Sequence, residues 1–286
     1  IRHQHHTWSV HLRTHTKMTI SVPPRRLVFI TTYRCTAACD NCCFESSPRL
    51  QGQLSLGAMT RYIAESTRDF SSIKTVIFTG GECFLLGDDL FSAIRYATQR
   101  DLWTRCVTNG YWAATPERAT ILAQELLRAG LHEINISTGD EHLAWVPLNR
   151  VIQAASACLD AGITTVLVFE GKETAKQRFD AFLATPEIIS LINNHSTKLK
   201  IISNVWVPFL KNTPITPLAP RVAHARHPQQ FQGFTGCDDI FESIVITPHM
   251  RVASCCGLTM EHIPEMKIGD IGNGQDSIAS AYTRQY

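Results

Sequence analysis

The chain has 286 residues and a mass of 32.0 kDa, enough to bury one sizeable core with an appendage. Hydrophobic residues make up 44% and charged residues 18%, which excludes intrinsic disorder, and a formal charge of +2 leaves no electrostatic footprint for nucleic acid. No apolar stretch reaches the ~20 residues that span a bilayer, and ten cysteines without a secretory signal fit a reducing cytoplasm where thiolates hold metal.

The first 17 residues carry five of the twelve histidines and begin without methionine. Residues 1–24 therefore read as an N-terminal extension outside the fold, non-native or upstream of a start at Met18, with a His-rich metal tract as the other reading. An apolar strand over Leu27–Thr32 then runs into three closely spaced cysteines, Cys35, Cys39 and Cys42. Iron–sulfur clusters usually take four Cys ligands, so three convergent thiolates suggest a cubane with one iron left open. Half of a zinc site is the competing reading, but zinc completes a four-ligand shell, and Cys43 is awkwardly adjacent to Cys42 for that purpose.

Alternating elements follow. A helix over Leu56–Phe70 leads to a strand over Thr75–Phe78, and that strand ends in Gly80, Gly81 and Glu82. The two glycines let backbone approach a ligand without a Cβ clash, and the carboxylate can pair with an ammonium group. A helix over Asp88–Arg100 precedes a strand over Trp103–Thr108, which stops at Asn109. Thr115 caps a helix with Pro116 in its first turn, ending near Gly130. A strand over Glu133–Ser137 ends in Asp140, Glu141 and His142. A helix over Leu148–Ala161, a strand over Thr164–Phe169 ending at Glu170, a helical region over Ala175–Ile192 and a strand over Lys198–Trp206 complete six units. Such alternation implies a parallel sheet with right-handed crossovers, and polar residues at the strands' C-terminal ends are where β/α barrels build their sites.

These motifs in this order resemble the radical S-adenosylmethionine (SAM) superfamily, over roughly Leu27 to Trp206. The resemblance implies an α/β fold, a partial (β/α)6 TIM-like barrel over residues 25–207. It also implies a [4Fe–4S] cluster on Cys35, Cys39 and Cys42, with SAM chelated at the fourth iron. Gly80, Gly81 and Glu82 match the family's glycine–glycine–glutamate stretch, which lines up the methionine amino group. Asn109 and Ser137 match strand ends that commonly contact the SAM carboxylate or ribose. The chain departs from the pattern at Asn41, where many members carry an aromatic residue, and at Cys83, where proline often follows the glutamate.

Composition shifts near Pro208, and five prolines fall from Pro208 to Pro228, marking a linker or lid. Beyond it stand Cys237, then Cys255 and Cys256 after a hairpin-like stretch whose turn holds Pro248 and His249. Residues 208–286 resemble a small α+β auxiliary-cluster region of the SPASM or twitch type, without the full seven cysteines, in reduced or truncated form. Cys237, Cys255 and Cys256 would bind a second iron–sulfur cluster, or they are ordinary interior thiols. Asp140 and His142 at the barrel mouth could bind substrate or move a proton, against the alternative of a hydrated capping loop. Cys83 could donate a hydrogen atom to a substrate radical, or simply pack. Cys106 and Cys158 read as core.

The implied chemistry is reductive cleavage of SAM to a 5′-deoxyadenosyl radical that abstracts hydrogen from a substrate, an oxidoreductase-type peptide modification. The expected substrate is a ribosomally made peptide or protein, with small-molecule or cofactor biosynthesis as the alternative. Expected partners are a reductant such as flavodoxin or ferredoxin and a separate peptide-recognition protein, with no nucleic acid and no membrane. A non-catalytic iron–sulfur carrier or sensor would explain the cysteines but not Gly80–Glu82, and a zinc-stabilised binding module would explain less.

Overall fold

The computed structural model describes residues 23–171, 175–205, 241–256 and 264–284, together with the backbone of 8–11 and 17–20. The latter form an antiparallel pair, β1 (Trp8–His11) and β2 (Lys17–Ile20), in the segment that composition had set aside.

Six parallel strands follow in sequential spatial order: β3 (Arg26–Ile30), β4 (Thr75–Thr79), β5 (Trp103–Thr108), β6 (Glu133–Gly139), β7 (Thr164–Gly171) and β8 (Leu199–Val205). Their continuous apolar runs suit strands buried on both faces. Side chains alternate between faces, so Leu27 and Phe29 join Val76 and Phe78 under the helices, while Val28, Ile30 and Ile77 form a second cluster with Tyr33. Phe29 stands opposite Phe78 in the parallel register, and their rings stack with centroids 5.8 Å apart. Each buries fully, worth about 1.5–3 kcal/mol of transfer free energy.

The helices α1 (Leu56–Asp69), α2 (Asp88–Thr98), α3 (Pro116–Ala129) and α4 (Leu148–Asp160) fall where the apolar periodicity put them. Ser55 and Thr115 cap α1 and α3 by accepting from the amides of Ala58 and Arg118, and Gly130 closes α3 in the left-handed conformation at φ 90°. One expectation needs correction. The helical region over Ala175–Ile192 is two helices, α5 (Ala175–Leu183) and α6 (Pro186–His195). Pro186 cannot donate an N–H, and its ring pushes Thr185 into extended geometry, ψ 130°.

The sheet remains open: β8 is one edge, and the other side of β3 is taken by β9 (Ser243–Ile246), which pairs with it in parallel. β9 forms the expected hairpin with β10 (Arg251–Ala253), and β11 (Lys267–Asp270) adds antiparallel to β10. The cysteine-containing C-terminal extension thus continues the barrel sheet. It is tied down by α7 (Ile278–Thr283), where Tyr282 packs edge-on against Phe70 at 5.2 Å and donates to the Phe241 carbonyl. Residues 206–240, including Cys237 and the whole proline-rich stretch, lie outside the described residues. No helix among the described residues is long and apolar enough to cross a membrane.

Candidate active site

β3 delivers the chain at Thr31 into an irregular loop that returns at Leu54. Isolated bridges pair Thr32 with Gln53 and Arg34 with Ser47, so the loop folds back on its own root. Cys35 is buried, and Cys39, Cys42 and Cys43 are half-buried. The Cys35 amide donates to the Ser47 carbonyl at 3.1 Å, and the Cys42 amide to the Cys39 carbonyl at 3.2 Å. Amides also point at sulfur: Ala37 N lies 3.4 Å from Cys35 Sγ and Ser46 N 3.4 Å from Cys42 Sγ. Such N–H donors favour a thiolate. Burial nevertheless pushes Cys35 and Cys39 up to about 12, and it raises Cys42 as well. The bare thiols hold their protons, which metal must displace.

Cys35, Cys39, Cys42 and Cys43 line one cavity of about 230 Å³ at the C-terminal ends of the strands. Gly80, Gly81, Asn109 and Ser137 line it too, as do His142 and Glu170. Among the described residues, no group of three or more His, Cys, Asp or Glu gathers tightly enough for a single metal ion. A cubane is bound at a different iron by each thiolate, so its ligands need not crowd as those of one ion do. A thiol trio lining one cavity, with amides directed at the sulfurs of Cys35 and Cys42, fits that group.

The two glycines serve chain packing as well as ligand approach. A Cβ on Gly81 would stand 2.2 Å from the Arg34 carbonyl oxygen, and one on Gly80 2.6 Å from that of Thr32. The Gly81 amide donates to the Thr32 carbonyl at 2.7 Å, and the Glu82 amide to that of Arg34 at 3.0 Å. The end of β4 therefore runs directly alongside the root of the cysteine loop.

Glu82 sits differently from the sequence expectation. Its carboxylate is fully buried and accepts from Phe84 N at 3.1 Å, Asn109 N at 2.9 Å and Thr108 Oγ1 at 2.9 and 3.0 Å. Burial pushes its pKa up to about 7 against those hydrogen bonds. It joins the ends of β4 and β5 instead of facing the cavity. Asn109 does face it: its Nδ2 donates to Thr36 Oγ1 at 2.9 Å and reaches Cys35 Sγ at 3.7 Å.

At the β6 mouth the three titratable residues separate. Asp140 pairs with Arg178 at 3.0 Å. Glu141 accepts from the backbone amide of Asn41 at 3.2 Å and its Nδ2 at 3.0 Å. His142 lies in the cavity with Nδ1 3.3 Å from Glu170 Oε2. Burial lowers His142 to about 4 and, helped by the Glu141 charge, raises Glu170 to about 7. Between those values both groups are neutral, so the contact is a close approach of a carboxyl to an imidazole and not an ion pair. Sequence reasoning left Glu170 out of the site although it ends a barrel strand just as Asn109 and Ser137 do; that position was the available signal.

Cys83 is fully buried, donates to the Val107 carbonyl at 3.2 Å and does not line the cavity. Cys106 and Cys158 are core. Cys255 follows β10, and the charges of Cys43 and Cys255 are within electrostatic reach of one another. The exposed Cys256 thiol is raised chiefly by its hydrogen bond with Cys255.

The family model described as the Radical SAM superfamily matches residues 29–181. YydG of Bacillus subtilis (strain 168), named for peptide biosynthesis, is 28% identical over 121 residues, 41% of this chain and 37% of YydG. The match thus spans well under half of that relative. Among solved structures, His6-tagged anSMEcpe with bound AdoMet superposes with a TM-score of 0.61 at 12% identity, over 91% of this chain and 80% of that one. Native anSMEcpe with bound AdoMet and Cp18Cys peptide gives 0.59 at 13%, with the same coverage. BtrN in complex with AdoMet and 2-DOIA gives 0.51 at 14%, over 91% and 82%. At these identities the structural likeness concerns the fold alone.

Proposed function

This chain belongs to the Radical SAM superfamily, and we propose that it binds a [4Fe–4S] cluster on Cys35, Cys39 and Cys42 with SAM beside it. One observation carries the reading: the three cysteines, Gly80, Gly81, Asn109 and Ser137 all line a single cavity. When bound, cluster and SAM supply a 5′-deoxyadenosyl radical that abstracts hydrogen from a substrate. The chain's own residues bind, orient and exclude water. Gly80 and Gly81 present bare backbone to the amino acid portion of SAM, and Asn109 and Ser137 offer polar side chains to its carboxylate or ribose. Glu82 holds the ends of β4 and β5 in register for them. The apolar layer of Val28, Ile30, Ile77 and Phe44 keeps water from the loop. His142 and Glu170, which line the same cavity, would face the substrate.

The proposed substrate is a peptide. Support comes from the name of YydG and from a fold shared with a structure holding a peptide beside AdoMet. Small-molecule chemistry is the second reading, favoured by the weaker likeness to a structure holding 2-DOIA. The electron would come from a carrier such as flavodoxin or ferredoxin. Cys237, Cys255 and Cys256 remain proposed ligands of a second cluster.

The test is anaerobic reconstitution, reduction and addition of SAM, with 5′-deoxyadenosine measured. Production by the native protein and none by a Cys35→Ala, Cys39→Ala, Cys42→Ala variant is expected. A native protein that takes up iron but makes none would be an electron carrier or sensor.

A further inference from the structure

The cysteine loop has two halves, and they are held from different strands. Its first half is fastened from β5, where Asn109 Nδ2 donates to Thr36 Oγ1 at 2.9 Å. The loop root is fastened to itself, through the Cys35 amide and the Ser47 carbonyl at 3.1 Å. Between Ala38 and Cys43 the backbone makes the short-range turn bonds of Cys42 to Cys39 and Glu45 to Cys42. Among the described residues, two hydrogen bonds carry this stretch to the barrel, and Asn41 gives both of them to Glu141.

Those two bonds are well placed. Asn41 immediately precedes Cys42, and Glu141 is 7% exposed, so its carboxylate has little water to satisfy it. One oxygen takes the backbone amide at 3.2 Å and the other the side-chain amide at 3.0 Å, a two-point contact that fixes direction as well as distance. Glu141 is itself held firmly. Gly139, at φ 109°, lies so close to β7 that a Cβ would stand 2.0 Å from the Glu170 carbonyl oxygen, and the Asp140 amide donates to that oxygen at 2.9 Å. The turn after β6 is thereby joined to the end of β7.

We propose that Glu141 is a positioning residue for the cysteine loop: by clamping Asn41 at two points, it sets the Cys39–Cys42 half before metal arrives. This rests on the reading of Cys39 and Cys42 as cluster ligands. It also gives Asn41, one of the two residues at which this chain departs from the family's sequence pattern, a partner that an aromatic side chain could not engage in the same way.

The test reverses the polarity of the clamp. Asn41→Asp sets two carboxylates against each other. Glu141→Gln turns one acceptor into a donor facing the Asn41 amide. When the two substitutions are combined, the side-chain amide at position 141 can accept from the backbone amide and donate to the new carboxylate, restoring both bonds. In anaerobic apoprotein, hydrogen exchange across residues 38–44 should accelerate roughly tenfold in Asn41→Asp, the equivalent of one lost charge-assisted bond. It should return to within about twofold of the native rate in the double variant. After reconstitution, the half-life of iron against a chelator should shorten in Asn41→Asp and recover in the double variant. A general loss of stability would not be repaired by adding a second substitution. Native exchange in Asn41→Asp, or a double variant no better than that single one, overturns the clamp. If Asn41→Asp does not fold, Asn41→Ala and Glu141→Gln are compared in the same way, with faster exchange in both required. Failure of the native protein itself to take up iron would instead sink the cluster reading, while the exchange result still decides whether Glu141 holds the loop.

Discussion

Glu82 and Glu170 end two strands of the same barrel, and burial raises both to about 7, yet their surroundings differ. Glu82 is enclosed by donors from Phe84, Thr108 and Asn109 and has no path to the cavity. Glu170 lines the cavity, touches His142 and feels the Glu141 charge. Burial alone therefore does not distinguish a structural carboxylate from one available to a ligand. The distinguishing feature is whether the protein has already filled its acceptor sites.

The largest expected consequence falls on Glu82. Glu82→Ala strands two buried backbone amides and a hydroxyl, which should destabilise the apoprotein by about 3 kcal/mol or more in denaturant unfolding. A loss below about 1 kcal/mol, less than one such stranded group costs, would mean that the ends of β4 and β5 are held by something else.

Glu170 should act through pH. Its folded value near 7 stands above the ordinary 4.5, so its contribution is complete below 4.5 and is lost as pH rises through 7. His142 has the opposite sign: lowered from 6.5 to about 4, it contributes fully above 6.5 and loses that contribution as pH falls through 4. Glu170→Gln should flatten the apoprotein's decline between pH 4.5 and 7 and leave it more stable above that range by about 1–2 kcal/mol. An unchanged pH profile would show that Glu170 is solvated like a surface carboxylate, and the contrast with Glu82 would then vanish.

The smallest effect belongs to Arg178, whose side chain is 48% exposed opposite Asp140. Arg178→Ala should cost no more than about 0.5 kcal/mol. A cost several times larger would mark Asp140 as a buried charge dependent on that partner.

What the sequence revealed depended on range. Caps at Ser55 and Thr115, the stop at Gly130 and the apolar strand runs are local signals, and each element appeared within a few residues of its expected place. Pro186 was an equally local signal, but the flanking apolar periodicity concealed the break. Long-range pairing was hidden. Nothing near Ser243 announces that its strand lies parallel beside β3, and nothing near Asn41 points to a carboxylate 100 residues away. Glu82 was legible as important, but its role was not: a carboxylate's partners depend on which strand ends fold beside it.

The pairing of β3 with β9 bears on biosynthesis. Arg26 and Ser243, whose side chains meet at 3.1 Å, are separated by 217 residues. A ribosome adds about 5–20 residues per second, so the outer edge of β3 waits on the order of ten seconds or more for its neighbour. Throughout that interval an apolar strand with unpaired amides and carbonyls is open to other nascent chains. The same strand launches the cysteine loop, so iron delivered before the C-terminal hairpin has emerged would meet a binding loop whose foundation is still incomplete.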